Sequence, residues 1–143
     1  MKKIIITTDL SNDIIINEGL KFAKALNAEV ELVAVINKNI DYIPMDTGMS
    51  FTSQWEARKH MANKALKEIK DQHPELNIKV VVFIGDPKEA IIEYAIESKA
   101  SIIVTGTHGR TGLSHLLMGS TAEYIIRHSP IPVLVIPMNN YLH

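Results

Sequence analysis

The sequence has no cysteine, which excludes disulfides and thiolate metal sites. It also has almost no net charge: 15 Lys and Arg stand against 16 Asp and Glu, leaving −1 at pH 7 and a pI near 6.6. A chain so balanced offers no global attraction to nucleic acid or an acidic membrane, and neither is expected as a partner. Long apolar runs are missing too; none approaches the ~18 residues of a membrane span. The start, "MKKIIITTDLS", has the two lysines of a secretory leader, but its apolar run stops at Ile6 and Asp9 follows, so the core is too short. These absences predict a soluble, cytoplasmic protein, and 143 residues suggest one domain spanning 1–143.

Glycine is scarce, yet four glycines fall within residues 106–121, "GTHGRTGLSHLLMGST". That stretch follows a run that reads as a buried strand, "SIIVT", and precedes one that reads as a helix, "AEYIIRHS". Five such short β-branched runs, bounded by turn residues, predict strands at 3–8, 29–36, 78–84, 101–105 and 132–136. Between them the apolar residues recur at helical spacing: Ile15, Ile16, Gly19, Leu20, Ala23 and Leu26; then Met61, Ala65, Leu66 and Ile69; then Ala90, Ile91, Tyr94 and Ala95; then Ala122, Ile125 and Ile126. "SQWE" from Ser53, "DPKE" from Asp86 and "STAE" from Ser120 have the form of capping boxes that open helices.

Strict alternation of strand and helix implies right-handed crossovers and a parallel sheet covered on both faces. The fold class is therefore α/β: an open five-stranded parallel sheet of order 3-2-1-4-5, Rossmann-like. The last strand is flanked by Pro130, Pro132 and Pro137 and belongs at an edge, since proline donates nothing to a ladder. Residues 37–50 show no period and exceed an ordinary connection, leaving open a lid, a dimer contact or a mobile segment.

Open parallel sheets bind ligands beyond the carboxyl ends of their strands, where the strand order reverses. For order 3-2-1-4-5 that crevice lies between strands one and four. There "TTDLS", with Thr8 and Asp9, meets the glycine-rich stretch that begins after Thr105. Glycines let backbone approach a ligand closely, and successive N–H groups form an anion nest beside the next helix N-terminus. Ser120 and Thr121 add hydroxyl donors and Arg110 a positive charge, so phosphate is the expected ligand. Two common phosphate devices are absent: there is no G-x-x-x-x-G-K-S/T, and the first turn, "TTDLSND", has no glycine for a dinucleotide fingerprint.

The pattern Gly106-x2-Gly109-x9-Gly119-Ser120 resembles the G-x2-G-x9-G-S/T signature of ATP-binding universal stress proteins, and "VTGTHGRTGLSHLLMGSTAEYIIRHSPIPVLVIP" is similar to that family's C-terminal region throughout. The resemblance implies an adenine nucleotide α-hydrolase-like fold and ATP as ligand. It implies Asp9 near adenine and ribose, Val35 lining the adenine pocket, Gly106 and Gly109 close to ribose and phosphates, and Gly119, Ser120 and Thr121 holding the phosphates. A divalent cation, Mg or Mn, would bridge the phosphates, with no protein ligands assigned. The family also implies a homodimer through the last strand, Val133, Leu134, Val135 and Ile136. Thr8 departs from the pattern, because the family often has Pro before the Asp.

Plainer roles stand beside each of these. Gly106 and Gly109 also suit a strand end, Ser120 an N-cap closed by Glu123, Asp9 the cap of the first helix, Val35 the core, and Arg110 a solvated loop. The six histidines are scattered without H-E-x-x-H spacing; only His108 lies in the loop. No catalytic base is evident, so no catalytic residue is assigned, and a nucleotide-dependent regulatory or sensor module with slow or no hydrolysis is expected. An ATP-consuming enzyme, a slow ATPase or nucleotidyl transferase, is one alternative, although the transferase motif H-x-G-H is missing from the first turn. A dimeric interaction protein that binds no nucleotide is the other.

Overall fold

A computed structural model describes residues 2–10, 13–38, 51–107 and 118–137, with side chains from 53 onward in the third of these segments. The elements run β1 (Lys3–Thr8), α1 (Ile14–Ala25), β2 (Glu29–Asn37), α2 (Phe51–Asp71), β3 (Ile78–Gly85), α3 (Pro87–Glu97), β4 (Ile102–Gly106), α4 (Ser120–His128) and β5 (Val133–Ile136). All neighbouring strands are parallel, in the order β3-β2-β1-β4-β5. Both the element order and the strand order are those the alternation predicts.

Successive side chains of a strand point to opposite faces, so the central strands must be apolar on both sides. On one face Ile4 and Ile6 of β1 and Val30, Leu32, Ala34 and Ile36 of β2 pack with Ile15, Ile16, Leu20 and Ala23 of α1 and Ala62 and Leu66 of α2. On the other, Ile5, Val33, Val35 and Ile103 pack with Ile91, Ile92 and Ala95 of α3 and Ile125 of α4. Burying each such isoleucine is worth roughly 2–3 kcal/mol, which makes the continuous Ile/Val runs the main support of the sheet. Gly19 lets α1 lie close against β1: a Cβ there would stand 2.7 Å from Ile6 Cδ1.

Local chemistry sets most of the helix ends. Asp86 accepts from the Lys88 N–H at 3.0 Å, and Pro87 opens α3 where a missing N–H costs nothing. Beyond α1 and α3, Asn27 (φ 53°) and Lys99 (φ 60°) take the left-handed conformation usual just past a helix C-terminus. Three expected starts are displaced. α1 is capped by Asp13, without a side-chain hydrogen bond, rather than by Asp9. α2 begins at Phe51, so Ser53 lies inside its first turn rather than capping it. α4 is capped by Gly119, and Ser120 is its first helical residue. The buried stripe of α2 also differs from the expected one: it includes Gln54, Ala62 and Leu66, whereas Met61 is 69% exposed. On α4, Ile126 likewise faces outward.

The amino end of the sheet holds a buried carboxylate. Glu31, 3% exposed, accepts from the Tyr94 hydroxyl at 2.5 Å and lies 3.7 Å from Lys3 Nζ and 3.6 Å from Lys79 Nζ. Lys3 also donates to the Ser98 carbonyl at 2.8 Å, at the C-cap of α3. Burial, then the hydrogen bond to Glu31 and its negative charge, push the Tyr94 hydroxyl well above its ordinary range. Tyr94 thus stays protonated and serves as a donor at any physiological pH.

Candidate functional site

The carboxyl end of the sheet is built differently. β1 pairs with β2 as far as Thr8↔Ala34, and β4 with β5 as far as Gly106↔Ile136. The ladder between β1 and β4 ends earlier, at Ile6↔Val104. Thr7 and Thr8 on one side and Thr105 and Gly106 on the other therefore flank a seam that has opened at the point where strand order reverses. Thr7, Thr8 and Thr105 are each under 8% exposed, so this end of the sheet buries three threonines where the rest of these strands is mainly aliphatic.

The β1 side of the seam is a tight turn. Thr8 Oγ1 accepts from the Leu10 N–H at 3.0 Å, and Leu10 adopts φ 66°. Asp9 sits half-buried between them. Where proline is usual in the pattern above, a side-chain hydrogen bond here constrains the chain instead.

Hydrogen bonds fix both feet of the loop on the β4 side. The Thr107 N–H donates to the Ile136 carbonyl at 3.1 Å, and the Thr107 carbonyl accepts from the Gly119 N–H at 2.6 Å. The start of α4 is thereby held beside the end of β4 and tied to β5. Thr107 was not among the expected site residues; its only sequence signal is its position directly after Gly106.

Gly119 caps α4 with φ −65° and ψ 153°, an extended backbone open to any residue, and supplies no side-chain cap. Its glycine character matters here through the absent side chain, not through a left-handed backbone. The Glu123 N–H donates to the Gly119 carbonyl at 3.0 Å, the first turn of the helix. By helix geometry the amides of Ser120, Thr121 and Ala122 have no intrahelical acceptor, and they carry the positive end of the helix dipole. Glu123 does not close a capping box. Its carboxylate pairs with Arg127 one turn on, at 3.0 Å on the exposed side. Ser120 is exposed and Thr121 half-buried, so both hydroxyls are free to turn toward a bound anion.

The fold thus gathers Thr8, Asp9, Thr105, Gly106, Gly119, Ser120 and Thr121 at one end of one seam. Val35 is one strand further, near the end of β2, with its side chain in the core under α3. Gly109, Arg110, His108 and most of the 37–50 segment lie outside the described residues. Among the described residues, no group of three or more acidic, His or Cys side chains is placed to hold a metal ion. No helix among them is long and apolar enough to cross a membrane.

A five-stranded parallel sheet opened between its first and fourth strands, with helices on both faces, defines a Rossmann-like α/β protein. The family profile described as "Universal stress protein family" matches residues 1–137, and the chain belongs to that family. Universal stress protein MJ0531 of Methanocaldococcus jannaschii is 35% identical over 144 residues, covering 94% of this chain and 81% of that protein. Among solved structures, MJ0577 of the same organism superposes with a TM-score of 0.73 at 28% identity, over 97% of each chain. A universal stress protein in complex with cAMP superposes with a TM-score of 0.68 at 21% identity, over 96% of this chain and 98% of the other.

Proposed function

We propose that residues 1–143 act as one universal stress protein domain that binds ATP in the seam between β1 and β4, as a regulatory or sensor module with slow or no hydrolysis. The observation that carries this reading is the start of α4: three amides with no intrahelical acceptor, capped by a residue without a side chain, held at the open seam by the Gly119–Thr107 hydrogen bond. A polyanion satisfies those amides better than water does, because the helix dipole and the amides act together. The cAMP-bound relative supports an adenosine moiety beside them.

In this reading Gly119, Ser120 and Thr121 hold the phosphates. Gly106 and Gly109 admit backbone to ribose and phosphate, Asp9 meets adenine and ribose, Val35 lines the base, and Thr8, Thr105 and Arg110 complete the walls. Mg or Mn would arrive with the phosphates, since hydroxyls and amides make no protein cage for a hard cation. The exposed edge of β5 supports a two-fold dimer in which Val133, Leu134, Val135 and Ile136 pair antiparallel with the same strand of a second copy. Sedimentation at micromolar concentration should give a dimer.

Thermal unfolding with ATP, ADP and AMP, each with and without Mg²⁺, tests the ligand. At 100 times Kd, ATP should add about 2.7 kcal/mol, several degrees of melting temperature for a chain of this size. No shift with any nucleotide would reject the reading. Rapid steady-state phosphate release that vanishes in Asp9→Ala would replace the sensor with an ATPase.

A further inference from the structure

The left-handed residues of this fold are not alike. Asn27 and Lys99 follow helix C-termini, where that conformation is routine. Leu10 follows a strand, and nothing in helix termination asks it to be left-handed. A leucine at φ 66° costs about 1 kcal/mol or more, so other contacts must hold it there. The Thr8 hydroxyl accepts the Leu10 N–H at 3.0 Å, which fixes the plane of the Asp9–Leu10 peptide and with it the Asp9 backbone. Thr8 is itself fixed, 5% exposed and still in the ladder opposite Ala34 of β2. The rigid end of β1 therefore reaches over one residue, and that residue is Asp9.

We propose that Thr8 is a positioning residue for the nucleotide site. Its oxygen accepts from the Leu10 N–H and the residue is 5% exposed, and its role is to present Asp9 to the ligand rather than to bind the ligand itself. This rests on the ATP reading above. Removing the acceptor leaves the Leu10 N–H without its partner and frees the Asp9–Leu10 peptide to rotate, which turns the Asp9 backbone. Asp9 is then no longer presented in the orientation the turn imposes, and restoring it falls to the ligand at the expense of affinity.

Thr8→Val keeps the shape and β-branching of threonine and removes the hydroxyl, whereas Thr8→Ser keeps it. ATP affinity of the full chain is measured by calorimetry for wild type, Thr8→Val, Thr8→Ser, Asp9→Ala and Thr8→Val/Asp9→Ala. Thr8→Val should weaken ATP by about tenfold, the size of one lost hydrogen bond, and Thr8→Ser should bind within about twofold of wild type. In the Asp9→Ala background Thr8→Val should have no further effect, because a residue acting only through Asp9 has nothing left to position. A tenfold loss that persists without Asp9 would show that Thr8 touches the ligand and would overturn the inference. So would unchanged binding in Thr8→Val. If Thr8→Val does not fold, Thr8→Ala takes its place in the same cycle. A wild-type chain that binds no ATP would instead bring down the functional reading beneath the inference.

Discussion

The two ends of one sheet handle polar groups in opposite ways. At the amino end Glu31 is closed in by Tyr94, Lys3 and Lys79, and Lys3 continues to the α3 C-cap, so the carboxylate is ion-paired within the protein although its Oε2 accepts no hydrogen bond. At the carboxyl end the β1–β4 ladder stops at Ile6↔Val104, and the first amides of α4 have no side-chain cap. The same strands run through both. One end ties its side-chain charges together, and the other begins a helix whose first amides no side chain caps. Stability and binding should therefore respond to different substitutions.

The sharpest way to break that division is Lys3→Met. It leaves the buried Glu31 carboxylate short of a counter-charge and the Ser98 carbonyl without its donor. We expect a loss of about 3 kcal/mol in denaturant unfolding, with unchanged ATP affinity in the folded fraction. A parallel loss of ATP affinity would show that the two ends are not independent.

Ser120→Asp is the reciprocal test and should be next in size. Ser120 is exposed at the first position of α4, where a carboxylate complements the helix dipole. The unliganded protein should gain a few tenths of a kcal/mol, while ATP binding weakens by about thirtyfold from like-charge repulsion, read by calorimetry. Joint loss of stability and binding would mean Ser120 supports the fold rather than the ligand.

Gly19→Ala strikes the core shared by both ends. Its Cβ would stand 2.7 Å from Ile6 Cδ1, and Ile6 is fully buried. Overpacking should outweigh the gain in helix propensity and cost about 1–2 kcal/mol in chemical denaturation. Because Ile6 also ends the β1–β4 ladder, ATP affinity should fall modestly with it.

The smallest effect is in alkali. The Tyr94 proton is held more tightly in the folded chain than in the unfolded one, so its contribution is complete below the unfolded value near 10 and is lost as pH rises beyond it. Above about pH 10 wild-type stability should decline more steeply than that of Tyr94→Phe, and the two curves should converge. Parallel curves would mean that neither burial nor Glu31 holds this proton more tightly in the folded chain.

The contrast between the two ends also separates what the sequence discloses from what it hides. Strand positions and order follow from Ile/Val runs and alternation, which are local. The opening at β1/β4 follows from the order, and Gly106, Gly119 and Ser120 follow from spacing. The amino-end network could not be read, because Tyr94 lies 63 residues from the glutamate it serves. In "EVELVAVI" that glutamate looks like an exposed strand residue. The α2 stripe was misplaced because Gln54, polar by type, is fully buried, while Met61, apolar by type, is not. The α4 cap was misplaced by one because serine is the better cap by propensity, yet the helix starts from the glycine before it.

Thr107 and Gly119 stand together as a pair of doorposts, joined by one hydrogen bond and anchored to β5 by another. The stretch between them therefore leaves and returns at two fixed, hydrogen-bonded points, and the frame on either side belongs to the sheet and to α4.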